Sequence, residues 1–106
     1  MADRRHGERA ARLVAYEAAW RYDQSDAAAR TAAAALSKYT GAAMVQQVAD
    51  TTMQLFGGAG YSRDLPIERI WRETRVVRIL DGTSEIMRQI IARNAFRNHQ
   101  RRNAPI

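Results

Sequence analysis

The 106-residue sequence contains no cysteine, which removes disulfide staples, thiolate metal ligands and a cysteine nucleophile together and fits a reducing, cytoplasmic setting. Histidine is nearly as scarce. His6 and His99 sit near opposite ends, without a second ligating side chain at metal spacing, so no metal site is expected. No apolar run approaches the roughly 20 residues that cross a bilayer, and the basic start "MADRRHGERAARL" is broken by acids and lacks an apolar segment, so neither a membrane span nor a secretory signal is supported. Lysine occurs once, as Lys38, so arginine carries almost all of the net charge of +6. Glu8, Glu17, Glu68, Glu73 and Glu85 interleave with those arginines, and no basic strand with aromatics or zinc knuckle accompanies them. A solvated helical surface is therefore favoured over a nucleic-acid groove.

What remains is 46% hydrophobic, enough for one ordinary domain, and no segment of any length has strand periodicity. From about Asp3 to Tyr22, Ala10, Leu13, Val14, Ala18 and Trp20 recur at three- and four-residue steps, which predicts an amphipathic helix. Ser25 or Asp26 can cap a second helix. Its alanine-rich sequence, with Leu36, Tyr39, Ala43, Met44, Val48 and Leu55 on one face, runs through Gly41 to Phe56 and stops at Gly57 and Gly58. Pro66 is placed to start a third, shorter helix with Ile67, Ile70, Trp71 and Thr74 on one face. After Asp81 and Gly82, Thr83 or Ser84 can cap a fourth, whose stripe is Ile86, Met87, Ile90, Ile91 and Asn94. The tail, residues 98–106, is expected to fray. The whole reads as an all-α bundle of three long helices and one short one.

Two glycine motifs carry the chemistry. "QLFGGAGY" ends a helix with free amides and no Cβ, so a phosphate or another backbone can approach closely; a plain helix stop is the structural alternative. In Asp81-Gly82-Thr83-Ser84-Glu85 a carboxylate precedes a helix N-terminus whose amides can bind an anion or oxyanion, and a capping aspartate is the alternative.

The ordered combination "QLFGGAGY", "IERIWRETR" and "ILDGTSEIMRQIIAR", preceded by "AARLVAYEAAW", resembles the C-terminal helical domain of the flavin-dependent acyl-CoA dehydrogenases over about residues 8–97. The resemblance implies removal of an α-proton from an acyl-CoA thioester by a carboxylate, with the β-hydride passing to FAD. By position, Gln54, Leu55, Phe56, Gly57 and Gly58 would meet the FAD of a neighbouring subunit. Thr83, Ser84 and Glu85 would touch FAD at the other site, and Gly82 would line the thioester end of the substrate. The Asp81 amide would donate to the thioester carbonyl, and the Asp81 side chain falls where many members place the catalytic base. Most members with a base there carry glutamate, so Asp81 is one methylene shorter.

The family's N-terminal helical domain and flavin-packing β-domain have no counterpart among these residues. The chain alone is expected to bind FAD weakly or not at all, and dehydrogenation is expected only in a larger assembly. The resemblance also implies a bundle whose first long helix is incomplete here, leaving an apolar groove. A homo-oligomer or a separately encoded remainder of the enzyme is the expected partner. The alternative is a non-catalytic helical interaction module derived from the same family.

Overall fold

The computed structural model describes residues 2–24 and 26–103, excepting the side chains of residues 2–4. It is all-α: α1 (Ala2–Gln24), α2 (Ala27–Tyr61), α3 (Ile67–Val76) and α4 (Ser84–Asn103), with no strand among the described residues. Three long helices and one short one are thus present.

The punctuation residues act largely as their chemistry requires. Asp26 sits in an extended conformation, and its carboxylate accepts the Ala29 amide at 2.8 Å, capping α2; Ser25 lies outside the described residues. Helix α2 passes through Gly41 without a break. At Gly57 the backbone turns left-handed (φ 55°), but helical bonding resumes for one more turn, closed by the Ser62 amide on the Gly58 carbonyl at 3.1 Å. The glycine pair thus kinks the helix end, and Tyr61 rather than Phe56 is the last helical residue. Pro66 takes the cap position just outside α3, where its missing N–H costs nothing and its carbonyl accepts the Ile70 amide. Thr83 caps α4 through its hydroxyl, which accepts the Ile86 amide at 3.3 Å. Helical structure in α4 extends to Asn103, well into the segment expected to fray. Side-chain bonds one turn apart, Asn98 to Asn94 and Asn103 with His99, support its last turns.

Helix α2 is the spine against which α1, α3 and α4 each pack. The assembly measures 64 × 26 × 23 Å, and its radius of gyration of 17.3 Å exceeds the roughly 13 Å of a compact domain this long. Its length follows from α2. The core is narrow and made of small residues: Ala35, Ala42 and Ala49 recur every seventh position along α2, joined by Met87 of α4. Several large side chains expected to face inward do not. On α1 the half-buried residues are Gly7, Ala11, Val14 and Ala18, whereas Leu13 and Trp20 remain 60% and 61% exposed. On α2, Leu55 is 66% exposed. An open groove of about 320 Å³ separates α1 from α4, floored by Ala32, Ala33 and Leu36 of α2 and walled by Val14, Ala18 and Ile91.

Candidate active site

The α3–α4 junction is built by backbone constraints. The Ile79 and Leu80 amides both bond the Val76 carbonyl, and the Ser84 amide reaches back to the Arg78 carbonyl at 3.1 Å, closing the loop. Asp81 (φ 53°) and Gly82 (φ 93°) are consecutive left-handed residues that reverse the chain into α4. Gly82 has a packing reason as well, because a Cβ there would collide with the end of the buried Met87 side chain. Lys38 of α2 fixes the loop from beneath: its ammonium donates to the Leu80 carbonyl and, at 2.8 Å, to the Gly82 carbonyl.

Asp81 and Lys38 border one concavity of about 660 Å³ between α2 and α4, with Ala34, Ala35, Met87 and Ile90 supplying apolar lining. Arg30 also borders it, with its guanidinium 5.4 Å from the Tyr22 ring centroid. Asp81 is exposed and borders this space. The arrangement sets an exposed acidic residue on a hydrogen-bonded loop beside an apolar slot of ligand size.

The next three residues divide by burial. Thr83 spends its hydroxyl on helix capping, and Ser84 is only 5% exposed. Glu85 is exposed; its own backbone amide and then the Thr83 hydroxyl hold its carboxyl below the usual range. Arg75 and Arg78 join these residues around a shallow hollow of about 90 Å³.

Gln54, Leu55, Phe56, Gly57 and Gly58 form a second, exposed patch. A Cβ at Gly57 or Gly58 would meet nothing within 4 Å, so the backbone there is open to a close approach. The structure does not bring this patch to Asp81. Lys38 marks the Asp81 loop on α2, and Gln54 lies 16 residues further along, roughly 24 Å at the helical rise.

Two positions escaped the sequence reading. Lys38 reads as an ordinary solvated lysine, although its being the only one was a usable signal. Tyr39 was placed on an apolar face, yet its hydroxyl accepts from the Arg88 guanidinium at 3.1 and 3.3 Å, a contact that raises the Arg88 pKa. Among the described residues no cluster of three or more His, Cys, Asp or Glu could hold a metal, and no helix is long and apolar enough to cross a membrane.

Residues 1–96 match the family model described as acyl-CoA dehydrogenase, C-terminal domain. The chain is 36% identical over 97 residues to the short-chain-specific acyl-CoA dehydrogenase of Clostridium acetobutylicum, covering 92% of this chain and 25% of that protein. It is 39% identical over 88 residues to a 3-(aryl)acrylate reductase of Clostridium sporogenes, covering 83% of this chain and 23% of that one. With the (R)-benzylsuccinyl-CoA dehydrogenase of Thauera aromatica the identity is 43% over 82 residues, 77% of this chain and 20% of the relative. A solved chain described under the electron transferring flavoprotein of Acidaminococcus fermentans superposes with a TM-score of 0.83 at 33% identity, over 92% of this chain and 25% of that one. The chain thus spans about a quarter of the length of the relatives it matches. With the bundle, its glycine-punctuated loops and these likenesses in agreement, the chain belongs to the acyl-CoA dehydrogenase family, as that family's C-terminal helical domain.

Proposed function

We propose that this chain serves as the C-terminal domain of an FAD-dependent enzyme that introduces an α,β double bond into an acyl-CoA thioester, acting with flavin-cradling domains that these residues do not supply. The observation that carries the reading is the Asp81 carboxylate on its left-handed loop, presented to the apolar slot between α2 and α4. In this reading an Asp81 side-chain oxygen takes the α-proton of the thioester, and the C–H electron pair becomes the new double bond as a hydride leaves the β-carbon. When bound, FAD supplies the acceptor for that hydride. The Asp81 amide donates to the thioester carbonyl, making the α-proton more acidic, and Gly82 leaves room for the thioester end.

The residues present fit a flavin in part. Gly57 and Gly58 leave open space where a Cβ would sit, and Gln54, Leu55 and Phe56 flank them on the exposed surface, which supports a close approach of a pyrophosphate. Glu85 is accessible at the other patch, whereas the Thr83 hydroxyl and the Ser84 amide are engaged within the loop and the Ser84 side chain is buried. The roughly 24 Å between the patches supports their serving flavins of different subunits. The open groove between α1 and α4 favours an assembly, either a homo-oligomer or a complex with the remainder of the enzyme.

The test is co-expression with the N-terminal and β-domains of the Clostridium acetobutylicum relative lacking its own C-terminal helices. Bleaching of the flavin band on addition of a short acyl-CoA is expected, with loss of bleaching but retained flavin in Asp81→Asn. An assembly that holds flavin yet never bleaches with any acyl-CoA would sink the catalytic reading and leave a non-catalytic interaction module.

A further inference from the structure

We propose that Lys38 is a positioning residue for Asp81, holding the α3–α4 loop by its two flanking carbonyls so that the carboxylate is presented at a fixed height over the slot. The inference rests on the reading of Asp81 as the base. Lys38 is half-buried on α2, and its ammonium donates to the carbonyls of Leu80 and Gly82, the residues on either side of Asp81. These are side-chain-to-backbone bonds between segments more than forty positions apart, and they connect the spine of the bundle to a segment with two successive left-handed residues.

Such a segment persists only where its surroundings over-determine it. Three restraints do so here: the Ser84 amide on the Arg78 carbonyl, the Met87 side chain under Gly82, and Lys38. Only the last reaches the loop from α2, the helix that forms the opposite wall of the slot. Lys38 therefore sets the distance between the carboxylate and the wall against which an acyl chain would lie. It does so through the backbone, because among the described residues no ion pair joins Lys38 to Asp81. Because Asp81 is short, little side-chain freedom remains to compensate for a displaced loop.

The experiment compares Lys38→Met, which keeps the stem and removes the donors, with Lys38→Arg, which keeps charge and donors. In the 106-residue chain, amide exchange at Ser84 is expected to rise at least about tenfold in Lys38→Met while amides around Ala42 are unchanged. In the co-expressed assembly, kcat is expected to fall roughly 10- to 100-fold with KM and flavin content held, and Lys38→Arg to recover most of the loss. If Lys38→Met does not fold, Lys38→Leu, which also lacks a donor, carries the same comparison. Unchanged Ser84 exchange would overturn the anchoring, and faster exchange with undiminished kcat would overturn the positioning role. Full turnover in Asp81→Asn would instead remove the base itself, and this proposal with it, so the two failures are told apart.

Discussion

Trp71 of α3 donates its indole N–H to the carboxylate of Asp50 on α2 at 3.2 Å, a polar bond beside a small hollow that Ile67 and Ile70 of α3 line together with Val45 and Val48 of the spine. Trp71→Phe keeps an aromatic ring, smaller than the indole, and removes the donor. We expect it to cost about 1 kcal/mol, the net worth of a single partly solvated hydrogen bond. Urea denaturation of the two proteins checks this; equal midpoints would mean that α3 is held by its apolar face alone.

The alanine seam makes a larger claim. Ala42 is 4% exposed in the middle of α2, where added methylenes have no space to enter without moving a neighbouring helix. Ala42→Leu is expected to lower stability by about 1–3 kcal/mol, whereas Val45→Ala on the more open surface should cost less. Thermal melts followed by circular dichroism would show the ranking.

Gly57 and Gly58 should respond to alanine with opposite signs. Both have open space, but only Gly57 has a positive φ (55°, with ψ −136°), so a Cβ there strains the backbone by about 1–3 kcal/mol. Gly58 lies in the following helical turn, where alanine is expected to add about 0.5–1 kcal/mol. Melting temperatures that moved together would contradict this division.

Acid should weaken the bundle through two helix starts. The Ala29 amide first, then the Ala28 amide and the nearby Arg101, hold the Asp26 carboxyl below its ordinary value, and Glu85 is lowered likewise by its own amide. A carboxyl depressed in the folded state favours folding fully above its unfolded pKa of about 4, and the advantage disappears as pH falls through the folded value. Asp26→Asn keeps a capping oxygen and removes the titration. The melting temperature of the native chain should therefore exceed that of Asp26→Asn at pH 6 and converge with it near pH 3; a gap constant with pH would refute the linkage.

Helix existence and order were legible because Asp26, Pro66 and Thr83 act locally, through oxygens and a fixed φ that need no tertiary context. Helix faces were less so. A pattern search follows bulk, and bulk selected Leu13, Leu36 and Leu55, while the spine buries alanine. Close helix approach selects small residues, as at Gly7, where a Cβ would strike the Met44 sulfur. The Asp81 loop was visible as a motif, but its anchor was not, since a lysine more than forty positions away leaves no local pattern. The wide separation of the two glycine motifs was likewise hidden until α2 was seen as a nearly uninterrupted rod.

The seam at Ala35, Ala42 and Ala49 also bears on how this domain can vary over time. A single base change in an alanine codon yields serine, glycine, threonine, valine, proline or an acid. In a crevice this tight the last four add volume, break the helix or bury a charge, and glycine loosens it by about 1 kcal/mol. Serine is then the mildest single step available. The spine is confined to a small set of permitted residues, so change in such a domain accumulates on the exposed faces of α1 and α4 instead.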